Sequence, residues 1–427
     1  MFVGSVGPDR PRHPLGGGAV VLRGWPPWCS PIGPIPSTPV STLPPNAKSG
    51  LPGDRPLHAK RRLAVFGSGA AAYLVFVLLA SFPAAAEAVV APTHPRIAWT
   101  LSRISALLPF SVAEVALVAY LAAWLTFLGR TLRAVVRGQR SRKNAGQIVG
   151  LVVLRDVGAI TFCFYMVWGF GYARPPLAER MGWPVFTAPD SAELIDLAEE
   201  SVRNLNAAYL VLHGVDDVGH ATRVADREEL DDAIEAGFAR ATTLLGLRPS
   251  VGWKYGRAKE PVFSSLMARF GVQGQYSPLT GEPLVVPQPV LGRSLTIAHE
   301  KAHQRGVNPE LEARFLSYVA ASLAPHAAAR YSAAYYMNTT LVRELARDER
   351  VRLAGLLLPG VHRDARDRAE WWRPFRNSSA RAVGAAVNDR FLRANQVAGG
   401  IANYGLAVRL LIELARQTGS LDPGGEA

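Results

Sequence analysis

The sequence predicts a mainly α fold: three N-terminal transmembrane helices followed by a helical domain with a few short strands. Three observations carry this expectation. Long apolar runs follow Leu63 in close succession, each near the ~20 residues that a bilayer requires. Downstream, apolar residues recur at helical spacing over several long stretches. Between those stretches, residues 251–289 are broken into short apolar pieces by Gly and Pro, which reads as short strands or ordered loops.

Taken in order, residues 1–57 are rich in Pro and Gly and lack a sustained apolar period, so they read as a disordered tail. The transmembrane region is placed at 58–172. Its first run (64–86) follows Lys60, Arg61 and Arg62; its second (112–128) carries one acidic residue, Glu114, near its start. The third (148–172) contains Arg155 and Asp156, expected to pair with each other or to face neighbouring helices, and ends on Trp168 and Tyr172, which suit an interfacial belt. Arg130, Arg133, Arg137, Arg140, Arg142 and Lys143 crowd the connection between the second and third runs. The positive-inside rule puts that connection in the cytoplasm and everything after Tyr172 outside it.

Residues 173–418 read as one domain, with 419–427 as a flexible tail. Helices are expected over 192–210, 227–245, 311–323, 327–358 and 383–416. The 427 residues include 49% hydrophobic ones, enough for a sizeable core. A net charge of +13 would fit nucleic acid, but no basic patch with interleaved aromatics stands out, and much of the excess flanks apolar runs. No nucleic-acid partner is therefore expected. Cys29 and Cys163 belong to no metal-ligand pair, and no disulfide framework is expected.

The chemistry concentrates in His299, Glu300 and His303, an H-E-x-x-H motif. On a helix, residues i and i+4 lie one turn apart on one face, so both imidazoles can reach a single ion. Glu300 projects beside that ion, placed to deprotonate a bound water whose pKa zinc would lower to about 7. Catalytic zinc takes three protein ligands. The longer metzincin pattern holds through Gly306 but meets Pro309 where its last histidine belongs, and proline cannot ligate. Gly306 instead reads as a helix C-cap, with Asn308 and Pro309 as the N-cap and first residue of the next helix. Glu310 and Glu312 fall in that helix's first turn; either of them, or Glu344, Asp348 or Glu349, could complete the site. Gln304 and Arg305 either orient the second histidine, bind substrate or pack the helix. Tyr331, Tyr335 and Tyr336 offer phenols for an oxyanion, and His326 reads as a surface or capping residue. The segment 283–286 (PLVV) is a candidate edge for a peptide bound as an added strand.

Several segments together resemble the bacterial membrane proteins catalogued as domain of unknown function 3810. They are LPFSVAE (108–114), WGFGYARPP (168–176), FGVQGQYSPLTGE (270–282), AHEKAHQRGVNPELEARFLSY (298–318), VNDRFLRAN (387–395) and Tyr404-Gly405. The resemblance implies a zinc-peptidase domain of gluzincin type, and it favours Glu312 as the third ligand. It departs at Lys301, where the family usually carries an apolar residue, and at residues 1–57, which have no counterpart.

The expectation is a multi-pass zinc metallopeptidase of the bacterial inner membrane, with a zincin-like domain on the extracytoplasmic side. Zn2+ would be held by His299, His303 and Glu312, with Glu300 as general base. The implied partners are the lipid bilayer and a peptide or protein substrate. The alternative is a metal-binding sensor or scaffold that cleaves nothing, against which an intact Glu300 argues. Proteolysis inside the membrane is disfavoured, because Glu300, Lys301, Gln304 and Arg305 crowd the motif helix.

Overall fold

The apolar runs become helices, and a polar proline-bearing segment between them becomes one as well. A computed structural model describes residues 56–184, 189–223, 225–376, 378–395 and 405–424. Most of the expected tail, with Cys29, lies outside the described residues, as do Tyr404 and residues 425–427. Helix α1 (Pro56–Ala80) is followed by α2 (Pro83–Ser105), where only a connecting loop is expected from sequence. Pro83 at its first position is pre-set for a helix start, and the alanines after it are strong helix formers. α2 buries Ala86, Val90, His94 and Ala98.

Helix α3 (Val112–Val136) is capped by the Ser111 hydroxyl, and α4 (Arg142–Val167) by that of Ser141. α1, α3 and α4 are long and apolar enough to cross a membrane. Gly69 and Gly158 let α1 and α4 touch backbone to backbone, since a Cβ on Gly69 would lie 2.4 Å from the Gly158 carbonyl oxygen. Asp156 pairs with Arg155 at 2.6 Å and also accepts hydrogen bonds from the Tyr120 hydroxyl and the Trp124 indole, so the acidic group in α4 is fully engaged.

A 3-10 turn (Gly169–Ala173) and α5 (Leu177–Arg180) lead into α6 (Ser191–His213) and α7 (Arg227–Leu244), whose N-caps are Asp190 and Asp226. After a second 3-10 turn (Pro249–Gly252) and α8 (Ser264–Arg269), β1 (Gly274–Ser277) and β2 (Glu282–Val285) form an antiparallel hairpin. Then come α9 (Val290–Gln304), α10 (Glu310–Ser322), α11 (Ala327–Val342), α12 (Arg347–Ala354), α13 (Pro359–Trp372), α14 (Ser378–Ala394) and α15 (Gly405–Thr418). The single helix expected over 327–358 is thus two. The Thr339 and Thr340 hydroxyls bond back to the Tyr335 and Tyr336 carbonyls, a pattern that weakens a helix, just before the break.

The hairpin corrects one expectation. β2 is flanked on both sides, by β1 and by Lys259, whose N–H donates to the Pro283 carbonyl at 2.9 Å. The outer strand is therefore β1, and 283–286 does not form the edge.

Two anchors tie the hairpin to α3. Glu282 accepts from the Val112 and Ala113 amides at 2.9 and 2.8 Å, a carboxylate placed on a helix N-terminus. Glu114 in turn accepts from the Val262 and Phe263 amides at 2.9 and 2.8 Å. Lys259 neutralises Glu282 at 2.6 Å. The boundary expected after residue 172 is crossed by the Glu282 and Glu114 contacts with backbone amides.

Helix α9 is the buried centre, packed against α7, α10, α11 and the hairpin. Its far side carries cations into the interior. Lys301 lies 3.0 Å from Asp231 and 2.7 Å from Glu235, and Arg305 lies 2.7 Å from Glu235 with its guanidinium over the Phe238 ring. Each pair sits at i, i+4 on its own helix, so two acids of α7 meet two bases of α9 in one register. Removing one partner of a buried pair strands a charge. Lys301→Met is therefore expected to destabilise the detergent-solubilised protein by about 3–5 kcal/mol in denaturant unfolding, and adding Asp231→Asn should recover a large part. Unchanged stability in the single variant would contradict this reading.

Candidate metal centre

The motif helix ends in a tight left-handed turn that folds the next helix back over it. The Gly306 amide donates to the His303 carbonyl and the Val307 amide to that of Ala302, the paired bonds of a Schellman cap. Gly306 has φ +80°, and a Cβ there would lie 2.7 Å from His94 Nδ1, so both conformation and space require glycine. The C-cap expected from sequence is therefore present. Helix α10 begins at Glu310 with Pro309 at its N-cap, one residue later than expected. The Asn308 amide instead donates to the Trp168 carbonyl.

This turn brings Glu310 over the motif. Glu310 lies 3.1 Å from His299 Nε2 through one oxygen and 3.7 Å from His303 Nε2 through the other. One ligand atom from each of the three residues lies within 4.8 Å of the others, and no other such group of His, Cys, Asp and Glu occurs among the described residues. Glu312 is not part of it. Two residues apart on a helix means nearly opposite faces. Glu312 is buried on the other side, accepting from the Leu177 amide at 3.0 Å and pairing with Arg180 at 3.3 Å. The structure thus brings Glu310, and not the expected Glu312, to the histidine pair, while Glu344, Asp348 and Glu349 stay outside the group.

The protons decide what the cluster needs. His303 Nδ1 is 2.8 Å from the Val307 carbonyl, which can only accept, so Nδ1 carries the hydrogen. In the neutral ring, Nε2 is then a bare lone pair facing the Glu310 carboxylate. Two acceptors face each other, an arrangement that a cation between them resolves. Without an ion, a proton does so. Burial opposes a charge on His303, but the Glu310 carboxylate outweighs it and pushes this imidazole up to about 9. Burial also works against charge on Glu310, yet His303 holds its carboxyl well below the usual range. His299 is pulled down to about 4, chiefly by burial. The donor set of two imidazoles and one carboxylate suits a divalent transition metal.

Glu300 points into the hairpin. It is buried, and burial raises its carboxyl to about 8. Strand β1 passes so close that a Cβ on Gly274 would lie 2.6 Å from a Glu300 oxygen, and the Tyr276 amide donates to the same carboxylate.

The remaining wall comes from the end of α4. The Trp168 ring contacts His303 at 5.8 Å, Tyr276 at 5.1 Å and His94 at 5.6 Å. Sequence reasoning assigns Trp168 and Tyr172 only an interfacial role. Nothing in the spacing reveals that they also border the motif, where burial and the Glu310 carboxylate raise the Tyr172 phenol. Arg314, exposed one turn beyond Glu310, was also missed; its charge adds slightly to the burial that lowers His299 and slightly offsets the burial that raises Glu300.

Other candidates resolve as structural. Gln304 donates to the Gly281 carbonyl at 2.9 Å, and Arg305 joins the α7 ion pairs. The Tyr331 hydroxyl donates to Asp364 in the core, away from an oxyanion role. Tyr335 and Tyr336 pack against the core. His326 caps α11, as expected, by accepting from the Ala328 amide.

A divalent ion must displace the His303 proton, so its affinity is expected to rise about tenfold per pH unit from below pH 6.5 up to about 9 and to level off above. Competition titrations with a chelator read this slope, and a flat profile would contradict the assigned proton.

A family model described as protein of unknown function (DUF3810) matches residues 92–412, well over half of the chain. No curated protein and no solved structure matches it.

Proposed function

The chain belongs to this family of unknown function, and we propose that it is a membrane-anchored, metal-dependent peptidase with His299, His303 and Glu310 as ligands. The observation that carries the reading is the convergence of His299, His303 and Glu310, with His303 Nε2 turned toward the Glu310 carboxylate and Nδ1 engaged by the Val307 carbonyl. Zinc is the ion proposed. When bound, it supplies Lewis-acid polarisation of a scissile carbonyl and acidifies a water.

The chain's own residues do the rest. Glu300, in its ionised form, takes a proton from the attacking water and returns it to the leaving amine. The Tyr276 amide and the Gly274 backbone fix that carboxylate in place. The exposed Arg314, whose charge is felt at His299 and Glu300, is assigned to a substrate oxygen.

The arginine-rich connection between α3 and α4 supports a cytoplasmic turn, and with it the reading of an extracytoplasmic metal centre at a bacterial inner membrane. Because Trp168 caps the end of α4 and touches His303, the site lies at the level where that helix leaves the bilayer.

Three variants of the full-length protein test the proposal. Glu300→Gln should keep the ion and lose peptide hydrolysis by roughly 10²–10⁴-fold. Glu310→Ala should bind the ion more weakly through the two imidazoles alone and lose hydrolysis. Glu312→Ala should keep the ion while weakening the α5–α10 contact. Chelator-insensitive cleavage, or full activity of Glu300→Gln, would overturn the mechanism. A bound ion without any cleavage of a broad peptide library would point to the metal-binding sensor or scaffold.

A further inference from the structure

Helix α8 and the turn before it display large apolar side chains to the outside. Val262 is 77% exposed and Leu266 54%, with Phe263 and Phe270 beside them. A water-soluble surface seldom gathers such residues in one place. Their location explains them. The Val262 and Phe263 amides donate to Glu114 in the first turn of α3, so this turn sits where α3 enters the apolar layer.

Helix α14 continues the same surface. It packs on α8 so closely that a Cβ on Gly384 would lie 2.8 Å from the Phe270 carbonyl oxygen. At its other end, the Tyr165 hydroxyl in the last turn of α4 donates to Asn395. The start of α3 and the end of α4 lie on one side of the bilayer, because consecutive spans run in opposite directions. A helix strung between those two points lies along the bilayer boundary. Val383 and Val387, one turn apart, are 55% and 63% exposed, and Arg381 and Arg390 are exposed on the same helix. Apolar residues with flanking arginines match a helix lying in the headgroup region of an anionic leaflet. Trp371, in tilted ring contact with Phe375 before α14, adds an amphipathic ring of the kind favoured at that depth.

We propose that the 262–270 turn and α14 form a monotopic surface that sinks into the phospholipid leaflet at the α3 start and α4 end. The domain then rests in the bilayer rather than standing above it, in addition to its spanning helices. This inference rests on the membrane reading but not on peptidase activity.

The test uses the full-length chain with Cys29→Ser and Cys163→Ser, reconstituted in phosphatidylethanolamine–phosphatidylglycerol vesicles. Bimane is attached to single cysteines from Leu266→Cys, Val387→Cys, Leu125→Cys in mid-α3, or Val351→Cys on the exposed face of α12. Quenching by lipids brominated high on the acyl chain is compared with quenching by iodide present on both sides. The expected result is lipid quenching and iodide shielding at 266 and 387, as at 125, with the opposite behaviour at 351. Iodide access at 266 and 387 equal to that at 351 overturns the proposal. So does shielding from both quenchers, which would mean cover by a second copy of the chain. Iodide access at 125 would show that α3 itself is not in lipid, and the proposal falls with that reading.

Discussion

The structure turns on two cations buried on the back of the motif helix. Lys301 and Arg305 meet Asp231 and Glu235 of α7 in the interior, where charge must be matched almost one for one. A helix held this way cannot rotate or slide by a residue without stranding a charge. Because Lys301 and Arg305 face α7, His299 and His303 are turned toward α10, and Glu300 toward the hairpin. Packing of Ile297, Ala298 and Ala302 in the core reinforces the same orientation. The cluster of His299, His303 and Glu310 is thus a consequence of ion pairing on the opposite side of its own helix.

A second constraint comes from the membrane side. Carboxylates of Glu282 and Glu114 join the hairpin region to the first turn of α3, and Arg174 joins Glu87 of α2 to the Gly306 carbonyl just after the motif. Trp168, the residue that ends α4, reaches His303 directly. The candidate centre is therefore built from both parts of the chain. A proposed substrate would approach along the bilayer surface, and polypeptides held in or near that surface would be concentrated at the site.

Much of this was legible in the sequence, and the failures have definite causes. The three helices long and apolar enough to cross a membrane follow from length and composition alone, which need no tertiary information. The Gly306 turn was legible because only glycine tolerates its backbone. The choice between Glu310 and Glu312 was not: both occupy one helical turn, and the deciding partners, Leu177 and Arg180, lie far away in sequence. Lys301 looks like a departure from an apolar pattern, and its meaning emerges only when Asp231 and Glu235 are seen opposite it. Helix α2 escaped because Pro92 and Pro95 argue against a helix, whereas burial on one face sustains it. Tyr331 shows the converse, a plausible catalytic phenol engaged by Asp364 in the core.

The claim that His299, His303 and Glu310 form one metal centre is tested most directly by X-ray absorption of the zinc-loaded full-length protein. The account predicts a first shell of two imidazole nitrogens and carboxylate oxygen at about 2.0–2.2 Å, with the carboxylate lost in Glu310→Ala and retained in Glu312→Ala. A shell unaffected by Glu310→Ala, or one that loses its oxygen ligand only in Glu312→Ala, would contradict it.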